Sequence, residues 1–230
     1  MRVEGTIALG RFCRRLNRFA AVVTVGRRNE RVHVPNPGRM RELLTPGRPA
    51  LLRRSAGAAR RTRYDLIQVR AAGRWIGVDT RTPNALVRWY LAGGRLPFLP
   101  GRLEGWRSEI PFGRSRLDFQ VHAAGATWLL EIKSVNLVED GVALFPDAPT
   151  RRGARHVAEL AEARRHGHRA AVCFIVQRSD ATTIRPYESA DPEFAAALRR
   201  AARAGVRVTG YTCRLGPKRI ALYRQVPVVL

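Results

Sequence analysis

Apolar residues change their spacing near residue 80, and the change divides this sequence into two modules. Before it, short apolar runs alternate with clusters of Gly, Pro and Arg, a pattern that is typical of a small β-rich module. The segment HVPNPGRM at 33–40 contains two prolines and a glycine and is predicted to be a rigid turn or loop. The four apolar runs are AAVVTV at 20–25, ALL at 50–52, LIQV at 66–69 and WIGV at 75–78.

After residue 80, helical and strand-like patterns alternate. Three helices are predicted from their spacing, their caps and the glycines that end them. They cover Pro83 to about Ala92 with Thr82 as cap, about Arg151 to His166, and the segment from the cap Asp191 to Gly205. Strands are predicted at AAVCFIVQ (170–177), VRVTGYTC (206–213) and IALYRQV (220–226). Together with the two strands at 114–134, these alternating helices and strands indicate a mixed α/β domain.

The segment 114–134, RSRLDFQVHAAGATWLLEIKS, predicts a β-hairpin with a turn at HAAGAT. If the turn is centred between residues 124 and 125, the numbers of opposed residues sum to 249. This register opposes apolar residues throughout, whereas a shift of one residue would oppose apolar with polar residues. The predicted pairs are Leu117 with Ile132, Phe119 with Leu130, Val121 with Trp128, Asp118 with Glu131 and Arg116 with Lys133.

This register predicts a reactive cluster. Side chains alternate across a strand, so Asp118, Glu131 and Lys133 are expected on one face. Opposed carboxylates about 5 Å apart repel each other by about 3 kcal/mol at an effective dielectric near 20. A shared proton or a Mg²⁺ or Mn²⁺ ion would relieve this repulsion. The alternative, in which nearby arginines pair with both acids, stays open at this point.

The lysine adds to the metal-site hypothesis. The chain has 42 basic residues, of which only Lys133 and Lys218 are lysines. If arginine and lysine served equally well at a basic position, that position would be lysine about one time in twenty, since 2 of 42 basic residues are lysine. A lysine beside the two acids indicates a need for a compact ammonium rather than a guanidinium.

Length and composition exclude several classes of protein. The 230 residues are 45% hydrophobic, which suits one large or two small globular domains and excludes a disordered chain. No apolar run reaches the roughly 18 residues of a membrane span. The N-terminal segment carries Glu4 and several arginines where a signal peptide would be apolar, so a cytoplasmic location is expected. Cys13, Cys173 and Cys213 have no metal-site or disulfide spacing and are expected to be reduced, mostly buried thiols.

Charge points to a nucleic-acid partner. The formal net charge is +24, with 42 basic and 18 acidic residues, and binding to a polyanion should be strongly salt-dependent. Biased codon usage would explain why arginine is preferred to lysine, but it does not explain why acidic residues are few. Residues 1–110 hold 23 Arg and 7 acids, a net charge of +16, and residues 111–230 hold the remaining +8. The N-terminal half is therefore the better candidate for gripping phosphates.

The residues D-x(12)-E-x-K on a hairpin resemble the PD-(D/E)xK nuclease superfamily, although Leu117 stands where that name has proline. Longer segments are more specific, and they make the chain similar over its length to the SfsA family of sugar fermentation stimulation proteins. These segments are HVPNPGRM, GVDTRTPN, SEIPFGRSRLDF, LLEIKSVNL, FPDAPTRRGARHVAEL and VPVVL.

The resemblance implies an α+β protein. It implies an OB-like nucleic-acid-binding β-barrel at 1–80 and a restriction-endonuclease-like PD-(D/E)xK domain at 81–230, whose mixed sheet is flanked by helices. It further implies a Mg²⁺- or Mn²⁺-dependent nuclease that cleaves DNA or RNA. The catalytic residues it implies are Asp118, Glu131 and Lys133, with Glu109 as a further metal ligand in preference to Glu104.

Other basic residues are predicted to contact nucleic acid. At the predicted start of the second helix, Arg152 and His156 suit a phosphate, although charges on the helix surface are nearly as good an interpretation. On the barrel, arginines near Phe12 and Phe19 suit a single strand, although core packing explains the two aromatic rings equally well. Asp147 is expected to be a turn or cap residue and His33 to make a structural hydrogen bond. The remaining predicted nucleic-acid contacts are Arg11, Arg14, Arg15 and Arg116.

The family's name keeps a second function open, namely a non-catalytic DNA-binding protein that regulates sugar (maltose) metabolism. A third, an RNA-associated module, rests only on the OB-like barrel. No membrane partner is expected, and the oligomeric state is left open, with a homodimer compatible.

Overall fold

The computed structural model describes residues 1–55 and 61–230, and its N-terminal part is a closed barrel. The sheet order is β3-β2-β1-β4-β5-β6, and pairing of His33 in β3 with Asp65 in β5 closes β1–β5 on themselves. Apolar side chains such as Phe12, Val23 and Leu52 fill the interior. The strands are β1 Ile7–Asn17, β2 Ala20–Val25, β3 Arg28–His33, β4 Pro49–Arg54, β5 Tyr64–Ala71 and β6 Arg74–Gly77. The predicted β-rich, OB-type module is confirmed.

The C-terminal part is built on a mixed six-stranded sheet, which confirms the predicted fold class. Its order is β15-β14-β12-β9-β8-β7, with β9, β12 and β14 parallel and the outer pairs antiparallel. The helices are α1 Thr82–Ala92, α2 Arg151–Arg165 and α3 Pro192–Arg203. The sheet strands are β7 Leu103–Phe112, β8 Ser115–Ala123, β9 Ala126–Val135, β12 Arg169–Val176, β14 Arg207–Leu215 and β15 Ile220–Val226.

Both faces of this sheet are covered, as the apolar run at 170–177 predicts. Residues of α2 and α3 pack on one face with Val172 and Phe174 of β12, and residues of α1 pack on the other with Cys173 and Ile175. A small sheet in the order β10-β11-β13 was not predicted, because its strands have only two to four residues. These strands are β10 Val138–Glu139, β11 Val142–Phe145 and β13 Thr183–Pro186.

Two of the three helices begin after a residue whose side chain caps the helix. Asp191 accepts a hydrogen bond from the Phe194 amide at the start of α3, as predicted, and Thr150, which was not predicted as a cap, accepts one from the Gly153 amide at the start of α2. The prediction for Thr82 was wrong, because it is the first helical residue. Arg81 precedes it without a side-chain cap bond.

Arg81 instead joins the barrel to α1. Its side chain donates hydrogen bonds to Asp79 and Asp65, both of which are buried, and Arg53 of β4 donates a further bond to Asp79. Because two buried carboxylates are each paired with arginine, their charges are compensated inside the junction. His33 makes the structural hydrogen bond that was predicted, to Asp65 at 3.0 Å.

A second contact ties the barrel to the large sheet through Gln177, which follows β12. The Gln177 carbonyl accepts from the Gly77 amide at 2.8 Å, and its side-chain amide donates to the Asp79 carbonyl and to Ser134 Oγ of β9. A Cβ atom at residue 77 would clash with the Gln177 side chain, so glycine permits this close approach.

The three cysteines are free thiols, two of them buried, as predicted. Within residues 1–55 and 61–230, no helix has the length and apolar character needed to cross a membrane.

Candidate active site

The hairpin of β8 and β9 has the predicted register next to its turn. Phe119 pairs with Leu130, Val121 with Trp128 and Ala123 with Ala126, and each pair sums to 249. Residues 124 and 125 have φ values of 50° and 67°, which suit the two-residue turn that matches strand twist.

Beyond Phe119 and Leu130 the ladder opens, so the predicted pairs Leu117–Ile132, Asp118–Glu131 and Arg116–Lys133 are wrong as strand pairs. Leu117 packs in the core cluster of α2 and α3, whereas Ile132 packs in that of α1. The Ile132 amide donates to Asp118 Oδ2 at 2.7 Å, so a side chain replaces the backbone acceptor that β8 would have supplied. The Asp118 carboxylate therefore lies where the two strands separate.

Asp118 is held from two sides. Asn84 of α1 donates from Nδ2 to Asp118 Oδ1 at 2.7 Å, and the Ile132 amide bonds the other oxygen. Burial raises the pKa of Asp118, the charge of Glu131 raises it further, and these effects exceed the opposing hydrogen bonds to bring the pKa to about 6. Asp118 and Glu131 are therefore close enough to oppose each other's ionisation.

Glu131 and Lys133 lie on the same face of β9, as predicted. Glu131 is 4% exposed, and its Oε1 accepts from Lys133 Nζ at 2.8 Å and from His156 Nδ1 at 2.7 Å. Burial raises the pKa of Glu131, but the Lys133 ammonium and the His156 hydrogen bond outweigh this effect and hold the pKa below its usual value. Glu131 Oε2 is buried without a hydrogen-bond partner among the residues that the structure describes.

His156 is part of this cluster rather than a surface residue. Arg152 Nε donates to His156 Nε2 at 3.2 Å, so the hydrogen-bond network assigns the ring proton to Nδ1, which donates to Glu131. His156 is 3% exposed and both ring nitrogens are engaged. The structure thus places it behind Glu131, and the direct phosphate contact predicted for it does not match this position.

The donor set fits a divalent cation. Glu131 Oε2 is buried without a partner among the described residues, and the charge of Glu131 acts on the neighbouring Asp118 carboxyl, whose pKa it helps to raise. Carboxylate oxygens are the hard ligands that Mg²⁺ and Mn²⁺ prefer.

The two further acids considered as ligands lie in different places. Glu104 Oε1 accepts from the Gly125 amide, so it caps the turn at the far end of the hairpin. Glu109 lies between Ser108 and Ile110, which pair with residues on either side of Asp118, but its side chain is exposed. Within the described ranges no group of three or more His, Cys, Asp or Glu side chains is arranged around a metal position. The role of Glu109 stays a prediction.

The predicted phosphate-binding arginines differ in whether their side chains are free to contact a ligand. Arg14, Arg116 and Arg152 are exposed, and Arg11 is exposed while donating to the Gly47 carbonyl. Arg15 uses all of its N–H groups on backbone carbonyls of residues 17, 18, 36, 38 and 39. The structure thus gives Arg15 an internal bracing position, unlike its neighbour Arg14.

A cavity of about 480 Å³ adjoins the carboxylates. Asn84 and Ile132, which both donate to Asp118, lie in its wall together with Ser134 and Asn136. The opposite wall includes Arg18 and the 36–38 segment of the barrel. Asn84 was not predicted as a site residue, although it ends the segment GVDTRTPN. Asp147, expected in a turn, lines the same cavity in the loop before α2.

Comparisons with known proteins agree along the full length. Residues 13–78 match a family model described as the SfsA N-terminal OB domain, and residues 81–219 match one described as the sugar fermentation stimulation protein RE domain. The sugar fermentation stimulation protein homolog of Acetivibrio thermocellus is 41% identical over 233 residues, covering 100% of both chains. That of Moorella thermoacetica is 42% identical over 224 residues, covering 95% of each.

A solved structure is also similar. The structure of Pyrococcus furiosus SfsA in complex with Ca²⁺ matches with a TM-score of 0.86 and 31% sequence identity, covering 100% of this chain and 98% of that one.

Proposed function

This chain belongs to the SfsA family of sugar fermentation stimulation proteins, and from that membership and its carboxylate cluster we propose a metal-dependent nuclease. It would hydrolyse phosphodiester bonds of DNA or RNA with Mg²⁺ or Mn²⁺, using a domain of the PD-(D/E)xK type. The similarity to a relative whose structure was solved in complex with Ca²⁺ supports a divalent cation in this chain as well.

One observation carries the proposal, namely the uneven use of the Glu131 oxygens. Oε1 accepts from both Lys133 and His156, whereas the buried Oε2 has no partner in the described part of the chain. Leaving a buried carboxylate oxygen unpaired costs about 1–3 kcal/mol or more. A cation held by Oε2 and Asp118 would remove that cost and offset the repulsion between the two acids.

Each residue of the carboxylate cluster would have its own role in the reaction. Asp118 and Glu131 would hold the cation, with Glu109 as a predicted third ligand. When bound, a divalent cation lowers the pKa of its water and stabilises negative charge on the phosphate oxygens. Lys133 keeps its ammonium at the carboxylate pair, where it stabilises the charge that develops on the phosphate. Asn84 fixes Asp118 by a hydrogen bond to Oδ1, and His156 fixes Glu131 by a hydrogen bond to Oε1.

A cleavage panel tests this function. Single- and double-stranded DNA and RNA are incubated with the protein in Mg²⁺, Mn²⁺ or EDTA. Metal-dependent cleavage is expected, and Asp118→Asn and Glu131→Gln should lower its rate by about 10²-fold or more. The exposed acid Glu193 provides the matched control, because Glu193→Gln should leave the rate unchanged. Equal cleavage by wild type and Asp118→Asn would refute the proposed site.

The net charge of +24 favours a second candidate, a DNA-binding protein of sugar metabolism without catalytic activity. It predicts binding without cleavage of any substrate in the panel, and equal binding by wild type and Asp118→Asn. Cleavage by wild type that is lost in Asp118→Asn would exclude it.

A further inference from the structure

The turn between β1 and β2 presents an exposed aromatic ring. Phe19 is 51% exposed, whereas Phe12, in the same arginine-rich segment, is 1% exposed in the barrel core. A single exposed apolar side chain needs no explanation. The surroundings of Phe19 give it significance, because its backbone is fixed and because its neighbour Arg18 lines the cavity.

The backbone of this turn is held on both sides of the ring. The Phe19 amide donates to Asn17 Oδ1 at 2.9 Å, and the Phe19 carbonyl accepts from the Val34 amide at 2.9 Å. Arg15 donates to the carbonyls of Asn17 and Arg18. An aromatic side chain on a backbone held in this way can meet a ligand with little further loss of conformational freedom.

The same guanidinium connects the turn to the cavity. Arg15 also donates to carbonyls of the loop at residues 36, 38 and 39, and residues 36–38 of that loop line the cavity together with Arg18. On the opposite wall, Asn84 and Ile132 donate to Asp118. The cavity is therefore lined both by Arg18 of this turn and by two residues that bond Asp118.

The charge around this entrance suits phosphates. Arg14, Arg18 and Arg39 are all exposed, and all three lie on the turn, its strand or the braced loop. The cavity's 480 Å³ falls within the range of about 300–1,000 Å³ that holds one small ligand. A paired base cannot enter such a space without leaving its stack.

We propose that the Phe19 turn and this cavity bind an unpaired nucleotide and its neighbour next to the scissile phosphate. The substrate is then single-stranded at this point. One base occupies the cavity, the flanking base stacks on Phe19, and Arg18 binds a phosphate between them. The proposal deepens the nuclease function proposed above and rests on it for the identity of the ligand.

Binding in EDTA tests the proposal without relying on cleavage. The fluorescence of 2-aminopurine, and the affinity by anisotropy, are measured for single-stranded and duplex DNA oligonucleotides. Phe19→Ala should weaken single-strand binding by about 5–150-fold, since a stacked base contributes about 1–3 kcal/mol, and should reduce the 2-aminopurine quench. Phe19→Trp should retain both. Duplex affinity should change less than twofold.

Tyr223 provides the matched control, because it is a partly exposed aromatic on β15, at the opposite edge of the sheet from β7. Tyr223→Ala should bind as wild type does. Unfolding midpoints should be equal for Phe19→Ala and wild type, since the ring is exposed.

The outcomes separate this inference from the function on which it rests. Unchanged single-strand affinity in Phe19→Ala, or equal loss for duplex and single strand, overturns the inference while metal-dependent cleavage can still hold. Wild type that binds neither form overturns both. Loss of single-strand binding in Phe19→Ala, together with cleavage unaffected by Asp118→Asn, supports the binding site and refutes the proposed nuclease centre.

Discussion

Glu131 depends on its neighbours for the orientation of its carboxylate. His156 occupies Oε1 and is itself held by Arg152, so it is a positioning residue for the predicted metal ligand. Groups that orient a ligand in this way commonly contribute 10- to 100-fold to metal affinity.

His156→Ala is therefore expected to weaken Mn²⁺ binding by about 10–100-fold, because Glu131 loses one of the two donors that fix it. Isothermal titration with Mn²⁺ measures the change, and His156→Gln should restore part of it. The control is Arg155→Ala, on the exposed side of the same helix, where Arg155 Nε donates to Ser115 Oγ. Wild-type Mn²⁺ affinity in His156→Ala would contradict this positioning role.

Asp118 predicts a pH dependence of stability in the metal-free protein. Its pKa is about 6 in the folded state, against an ordinary value of 3.8, so the folded state favours the protonated form. Its contribution to stability is therefore greatest below pH 4 and is lost as pH rises through about 6. Asp118→Asn should be more stable than wild type above pH 6, by about 3 kcal/mol, and this difference should vanish near pH 4.

Urea unfolding of both proteins in EDTA, at intervals from pH 4 to 8, measures that difference. Adding Mg²⁺ above pH 6 should stabilise wild type and leave Asp118→Asn nearly unchanged. A constant difference across the range would show that Asp118 ionises normally in the folded protein.

The side chains that could be predicted are those whose positions follow from strand alternation. Glu131 and Lys133 share a face because they are two residues apart on β9, whereas Asp118 reaches them from the point where the β8–β9 ladder opens. The positions of Asn84 and His156 beside the carboxylates could not be predicted, because both residues reach the site from helices whose rotation against the sheet is set by packing. The opening of the ladder at Ile132 could not be predicted either, because β9 stays paired with β12 as far as Val135 while its pairing with β8 stops at Leu130.

Among the helices and strands, the starts of α2 and α3 share one carboxylate. Asp191 accepts from the Phe194 amide in α3 and from the Thr150 amide at the start of α2, and it is 5% exposed. Thr150 in turn caps α2, the helix that carries His156. Asp191 thereby links the capping of one helix to the position of a site residue on another.

Asp191→Ala is expected to destabilise the protein by about 1–3 kcal/mol, because it removes a cap and leaves buried amides unsatisfied. Thermal or urea unfolding measures this loss, and Asp191→Asn should recover part of it. Glu193→Ala, an exposed acid in the first turn of the same helix, should cost less than about 0.5 kcal/mol. Equal effects of the two alanine variants would contradict the shared cap.

The strand β3 was not predicted, because most of its residues are polar or charged. In β3, RNERVH has one fully buried residue, Val32, and pairs with the apolar β2, so tertiary pairing decides its conformation. The hairpin turn and the helices with Thr150 and Asp191 caps were predictable because their signals lie within a few residues.

Across the whole protein, arginines have two roles that composition cannot distinguish. Some are free to bind a phosphate, and others stabilise the fold. Arg14 is exposed and available to a phosphate, whereas Arg15 is consumed in bracing the turn. Burial lowers the pKa of Arg15, the charge of Arg18 lowers it further, and Asp147 opposes them. A net charge of +24 therefore overstates the number of arginines that can release counterions.

Arg14→Gln should lower the slope of log affinity against log salt by about 1 for a bound oligonucleotide, without changing the unfolding midpoint. Arg15→Gln should instead lower the midpoint, because several backbone carbonyls lose their donor. Anisotropy titrations at several salt concentrations, with thermal unfolding beside them, measure both effects. Interchanged results for the two variants would refute this division.

The contacts between barrel and sheet limit which barrels can be exchanged between related proteins. Gln177 contacts the barrel at Gly77 and Asp79 and the site strand at Ser134, while Arg81 neutralises two barrel carboxylates from the start of α1. A chimaera that exchanges barrels between distant relatives at residue 80 would separate these partners. Grafting will succeed only if the donor barrel supplies a glycine and two acids that match the recipient's glutamine and arginine.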